Sequence, residues 1–328
     1  MRRIFLAIAC VAVVALPAQA QERMDVIRIG IIGCDTSHVP AFTNAFNNPK
    51  QKELEGFKVV AAFPGGSADI PSSKDRVEGF TKQIREKHNV EIVDSIEALL
   101  PKVDVVLLES VDGRPHLAQA TPVLKAGKKL FIDKPIAGSL ADTLKIFDLA
   151  KQHKTPVFSA SALRFSPGIT KMRNDPKVGK ILGAVAFSPC SLEPHHPDLY
   201  WYGVHGVETL YTLLGPGCVS VTRTHTKDAD EVTGLWSDGR IGTFRGTRTG
   251  KQDYGAFVFA TTYIGPTGGF GGYEPLAVEI GKFFRTGTPP VAAEETIEMF
   301  AFMEAADESK RQNGAPVKLE TVLKAAAR

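Results

Sequence analysis

The first half of the chain alternates short apolar runs with segments of helical period. Asp25 to Gly33 is a β-branched run that closes on glycine, the pattern of a strand buried in a parallel sheet. Similar runs are Phe57–Phe63, Val90–Val93, Val103–Glu109, Leu130–Asp133 and Pro156–Ala160. Between them, Pro40–Asn47, Arg76–His88, His116–Ala126 and Leu140–His153 carry apolar residues at helical spacing. Ser95 is placed to cap a short helix reaching Leu100, and Gly127 to stop the helix that begins at His116. Strands alternating with helices at this spacing predict βαβ units and a Rossmann-like parallel sheet. Right-handed crossovers bring the loops after the strands to one edge, where ligands bind in such folds.

The pattern changes after about residue 160. Gly183–Cys190 reads as a strand and Val204–Leu214 as a helix. From Val219 to Ile264 come strand-like runs broken by turn signals at Ser237-Asp238-Gly239, Thr249-Gly250 and Gly265-Pro266. Thr267–Gly272 is a glycine-rich loop, and Glu274–Arg285 and Glu294–Gln312 are closing helices. The expected fold class is α/β: a Rossmann-like domain over 26–160, then an α+β domain over 161–328 with an open, mainly antiparallel sheet.

The chain opens on Met1-Arg2-Arg3, an apolar run from Ile4 to Leu16, and Ala18-Gln19-Ala20, an Ala-x-Ala cleavage pattern. Residues 1–20 read as a cleaved signal peptide, and the apolar run is short for a membrane span. Arg2-Arg3 followed by Phe5-Leu6 also resembles a twin-arginine export signal, although the run suits ordinary secretion equally. The expected location is the periplasm or the cell exterior. The chain has 328 residues, 43% hydrophobic and 23% charged, which suits two globular domains. A net charge of +3, with no basic cluster interleaved with aromatics, gives no reason to expect nucleic acid. No later segment is long and apolar enough to hold a membrane. Cys34, Cys190 and Cys218 are too scattered for a disulfide framework or a thiolate metal pair.

The loop after the first strand is the first candidate site. A dinucleotide loop reads G-x-G-x-x-G, with glycines where backbone approaches pyrophosphate and where helix meets strand. This chain has Gly33-Cys34-Asp35-Thr36-Ser37-His38, with Asp35 and His38 in place of the later glycines. A carboxylate there would repel a pyrophosphate by ~1–4 kcal/mol at contact range, while Thr36, Ser37 and the helix N-terminus offer donors to phosphate. The ribose-binding acid about 20 positions on is also missing, since the second strand runs into Phe63-Pro64-Gly65-Gly66-Ser67 with no carboxylate before Asp69. Asp35 and His38 are spaced to share a helical face, either as an acid/base or ligand-holding pair, or as a cap and a packing residue. His195-His196 and Asp198 have metal-ligand residue types but no metal-site spacing, and no metal is expected.

Further along, Val103-Asp104-Val105-Val106, Pro115-His116, Leu124–Phe131 and Asp133-Lys134-Pro135 resemble the core of the Gfo/Idh/MocA oxidoreductase family, the glucose–fructose oxidoreductase and inositol dehydrogenase type. Leu163-Arg164-Phe165-Ser166-Pro167 resembles its R-F-x-P segment, and Gly203–Glu208 the G-x-H-x-x-D stretch that holds its histidine. The likeness runs in order over roughly 26–320. It implies that Lys134 stands beside the nicotinamide and substrate and that His205 is the general acid/base, a role suited to imidazole. It also implies cofactor contacts from Gly33 to His38 and at Glu109, Ser110, His116, Lys134 and Pro135, and substrate contacts at Arg164, Tyr202 and His205. The cofactor would be NAD or NADP, the substrate a sugar, polyol or related carbohydrate, and the assembly a homo-oligomer.

Three departures keep a second reading open. Trp201, within Tyr200-Trp201-Tyr202, stands where many members carry an aspartate, Glu109-Ser110 replaces a more usual Ala-Thr, and the glycine fingerprint is altered. The alternative is a redox-inactive member that binds carbohydrate or works as a nicotinamide-independent lyase or hydrolase.

Overall fold

The computed structural model describes residues 26–48 and 50–328. The expected signal peptide, residues 1–20, lies outside them. Six parallel strands form the front sheet: β1 (Ile27–Ile32), β2 (Phe57–Phe63), β3 (Glu91–Ile92), β4 (Val105–Leu108), β5 (Leu130–Asp133) and β6 (Val157–Ala160). Their order is β3-β2-β1-β4-β5-β6, so the winding reverses between β1 and β4. That reversal opens a crevice at the carboxyl edge of the sheet. The helices between are α1 (His38–Phe46), α2 (Pro71–Lys74), α3 (Val77–His88), α4 (Ile96–Leu99), α5 (His116–Lys125) and α6 (Leu140–Gln152). All four residues of β4, β5 and β6 are buried, as their unbroken apolar runs require. Ser95 caps α4 by accepting from Ala98 N at 3.1 Å, and Gly127 follows α5 with φ +68°.

The rear domain starts with α7 (Pro167–Asn174) and builds on a seven-stranded sheet: β7 (Ile181–Pro189), β8 (Cys218–His225), β9 (Ala229–Trp236), β10 (Ile241–Thr247), β11 (Gly255–Ala260), β12 (Ile264–Pro266) and β13 (Val317–Lys318). The order is β12-β11-β7-β10-β9-β8-β13, and only β7 with β10 is parallel. Helices α8 (Asp198–Trp201) and α9 (Val204–Leu214) lie between β7 and β8; α10 (Glu274–Thr286), α11 (Ala293–Arg311) and α12 (Leu319–Ala326) close the chain.

Every residue of α9 is buried, so it is an interior helix on the sheet's inner face. Gly206 permits this: a Cβ there would fall 2.3 Å from the Phe244 ring of β10. The sheet's other face leaves Phe187, Leu235, Ile241, Phe257 and Phe259 exposed. Helix α10 returns to the front domain, where Leu276, Ile280 and Phe283 share a core with Ile29, Phe42 and Phe131. The two domains are thereby clamped around the crevice. Among the described residues, no helix is long and apolar enough to cross a membrane.

Candidate active site

The carboxyl ends of β1, β5 and β6 and the start of α9 meet at one cavity of about 410 Å³. Its wall includes Thr36, Ser37 and His38 after β1, Lys134 after β5, Ser161 after β6, and Tyr202 and His205 from the rear domain. Lys134 and His205, 71 positions apart, therefore face the same space. Lys134 Nζ lies 5.7 Å from the centre of the Tyr202 ring, within cation–π range. Tyr202 in turn packs edge-on against His205 at 5.0 Å and accepts from the Tyr254 hydroxyl at 3.2 Å.

A chain of buried polar contacts fixes His205. Its Nδ1 is 2.8 Å from Ser161 Oγ. Ser161 N donates to Glu208 Oε2 at 2.7 Å, Arg164 Nε donates to Glu208 Oε1 at 2.6 Å, and Arg164 Nη1 donates to Glu295 Oε1 at 2.6 Å. Burial, with smaller contributions from the charges of Lys134 and His38, holds the His205 imidazole well below its usual pKa. It is thus neutral at physiological pH. The tautomer that donates Nδ1–H to Ser161 leaves the Nε2 lone pair for a substrate proton.

Several residues expected to contact ligand are engaged by the protein itself in this arrangement. Arg164 does not line the cavity: its guanidinium is spent on Glu208 and Glu295, and it acts on the site only through Ser161. His116 is fully buried, with Nε2 2.9 Å from Ser110 O and Nδ1 3.2 Å from Ile136 O, so it braces two loops rather than facing a cofactor. Ser110 Oγ turns to Gln119 Oε1 at 3.0 Å. Cys34 is buried, its thiol pushed up to about 12 chiefly by burial. Pro135 is buried behind Lys134 and Glu109 is fully buried, and both lie outside the wall.

Asp35 neither caps α1 nor pairs with His38. Its Oδ1 accepts from Val111 N at 2.9 Å and its Oδ2 from Ser73 Oγ at 2.6 Å. Burial raises its pKa, against those two hydrogen bonds. His38 instead sits with Nδ1 2.6 Å from Asp133 Oδ2. The His195–Asp198 stretch disperses: His195 meets Glu193, His196 accepts from Gly113 N, and Asp198 pairs with Arg223 and Lys310. Of the aromatic trio, Tyr200 is core, while Trp201 and Tyr202 join the wall.

The wall also contains residues that sequence reasoning passed over. Ser161 stands directly after β6, so the rule that ligands gather at the carboxyl edge points to it. Arg76, directly before α3, carries no sequence signal beyond the amphipathic helical stretch it opens. Tyr254, Phe270 and Tyr273 arrive on rear-domain loops with no local signature.

The implied dinucleotide can be tested against these residues. Gly33 keeps the turn that backbone approach demands: φ is +85°, and a Cβ would fall 2.3 Å from Ser110 Oγ. Thr36, Ser37 and the Arg76 guanidinium offer phosphate donors on the wall that holds Lys134 and His205. Asp35 is buried, with its two oxygens directed to Val111 N and Ser73 Oγ in neighbouring loops. These features fit the nicotinamide and phosphate portions. On the adenosine side, Asp69 and Asp112 are both engaged by Arg114.

A parallel sheet with a glycine turn is here joined to a second domain that brings His205 to the same cavity as Lys134. Residues 27–161 match the family described as "Oxidoreductase family, NAD-binding Rossmann fold". Over those residues the chain is similar to the Gfo/Idh/MocA oxidoreductase family and its NAD-binding Rossmann fold. The whole fold is similar to myo-inositol 2-dehydrogenase from Lactobacillus plantarum, with TM-score 0.74, 13% identity, and 90% of this chain and 99% of that one covered. It is also similar to myo-inositol dehydrogenase from Lactobacillus casei in complex with NAD(H) and myo-inositol, with TM-score 0.70, 17% identity, and 89% and 96% covered. An uncharacterized protein of Saccharomyces cerevisiae is 28% identical over 187 residues, 52% of this chain. The match spans 45% of that relative's length.

Proposed function

We propose that the protein oxidises a hydroxyl of a sugar, polyol or related carbohydrate, using NAD or NADP. The observation that carries this reading is the convergence of Lys134 and His205 on one cavity at the carboxyl edge of the sheet. The Lys134 ammonium polarises the substrate oxygen and stabilises negative charge as it develops. Neutral His205 Nε2 takes the hydroxyl proton, and Ser161 holds the ring for that transfer. A bound nicotinamide would supply the hydride acceptor for the carbon that carries this hydroxyl. Tyr202, Tyr254 and Trp201 give the substrate an aromatic wall against which a sugar ring can stack.

The test is cofactor binding by fluorescence, followed by turnover of a panel of inositols and aldoses. NAD(H) or NADP(H) should bind, and Lys134→Ala should remove hydride transfer without unfolding the chain. Failure of a folded protein to bind either dinucleotide would reject the reading. The alternative, a redox-inactive carbohydrate-binding member, is favoured by the adenosine side, where Arg114 occupies both nearby carboxylates. It predicts carbohydrate binding with no dinucleotide.

Export and assembly belong to the same proposal. Residues 1–20 would direct the chain to the periplasm, testable by the mass of the mature N-terminus. The exposed apolar face around Phe187, Ile241, Phe257 and Phe259 suits a second copy of the chain, testable by light scattering.

A further inference from the structure

Three side chains that the proposed reaction does not use meet in the interior beside the cavity. They are His38 at the start of α1, Glu109 after β4 and Asp133 at the end of β5, all buried, with one ligand atom of each within 4.8 Å of the others. Neither oxygen of Glu109 and neither oxygen of Asp133 has a hydrogen-bond partner. His38 Nδ1 lies 2.6 Å from Asp133 Oδ2.

Buried carboxylates are tolerated when paired, protonated or bound to metal. The Lys134 charge acts on both acids and the His38 charge on Asp133, yet none of the four carboxylate oxygens has a hydrogen-bond partner. A single proton would supply one donor to the ligand atoms that these three side chains turn toward one another. A divalent cation would satisfy three of them together.

We propose that His38, Glu109 and Asp133 form a binding site for a divalent transition-metal ion. One imidazole and two carboxylates are donors suited to Zn²⁺ or Mn²⁺. Ligand atoms at about 2.1 Å from a tetrahedral ion stand about 3.4 Å apart. The observed spread therefore closes by no more than about 1.4 Å. Because His38 lines the cavity and Asp133 precedes Lys134, the ion would fix the wall that presents the ammonium.

The test uses the full, tag-free chain, stripped with EDTA and titrated with ZnCl₂. Calorimetry and elemental analysis after desalting should find about one zinc per wild-type chain, and zinc should raise the melting temperature. Glu109→Gln keeps the shape and mimics the rival occupant, a proton on Glu109. It should fold and lose at least tenfold in zinc affinity, with His38→Gln as the second variant should it not fold. Equal zinc binding by wild type and a folded variant, or none by wild type, would overturn the site. None of these readouts involves a dinucleotide, so the result is separate from the oxidoreductase reading.

Discussion

Ser161 Oγ lies 2.8 Å from His205 Nδ1, joining the end of the last front-sheet strand to the first turn of α9. This contact aligns the proposed base across the domain boundary. Ser161→Ala should lower kcat by about tenfold with little change in KM, because the imidazole keeps its position but loses its tautomer lock. His205→Ala should cost about 10²–10⁴ in kcat. Equal losses in both variants would mean that Ser161 does more than orient the ring.

The pH profile follows from the same histidine. Burial first, and the neighbouring Lys134 and His38 charges second, depress its pKa well below the usual value. The active form is the neutral one, so activity is lost only as pH falls through the depressed pKa. The acid limb of kcat/KM should therefore lie well below pH 6.5. A limb centred at or above pH 6.5 would assign the base elsewhere.

Much of this fold was legible because its strands are unbroken apolar runs and its helices carry a clean period. β4 and β5 required nothing beyond Val103–Glu109 and Leu130–Asp133. Lys134 and His205, which line one cavity, stand out in the sequence through motif context, since each lies beside a recognisable segment. Side-chain direction was not legible. Asp35 occupies a fingerprint position, yet turns inward because Val111 N and Ser73 Oγ, 76 and 38 positions away, offer it donors. Arg164 looked like a ligand for substrate, but two acids from α9 and α11 claim it. Tyr254 and Phe270 depend on how the rear loops close, which no local pattern encodes.

Asp35 yields a prediction that separates structure from binding. Asp35→Ala leaves the buried Val111 N–H without an acceptor, and should cost about 1–3 kcal/mol of stability in urea unfolding. Since the carboxylate is directed into the loops, its removal should change dinucleotide affinity less than twofold. A large gain in affinity would show that the carboxylate does oppose the cofactor.

His196 links the loop after β4 to the rear domain, and its pKa sets an acid limit on stability. Nε2 accepts from Gly113 N at 3.2 Å, and Nδ1 lies 3.1 Å from Pro197 O, which matches a neutral ring donating at Nδ1. Burial, opposed by the Pro197 contact and the Asp112 charge, lowers its pKa from 6.5 to about 4. Above pH 6.5 both folded and unfolded states hold it neutral, and its contribution is complete. As pH falls from 6.5 to about 4 the unfolded chain takes up the proton first, so stability declines by about 1.4 kcal/mol per unit, levelling near 3 kcal/mol, ~2 kcal/mol of it by pH 5. His196→Gln retains a neutral donor and acceptor and should flatten this portion of the profile. Urea unfolding of both proteins at pH 7.5 and pH 5 measures it, and identical pH dependence in the two would remove His196 as the titrating group.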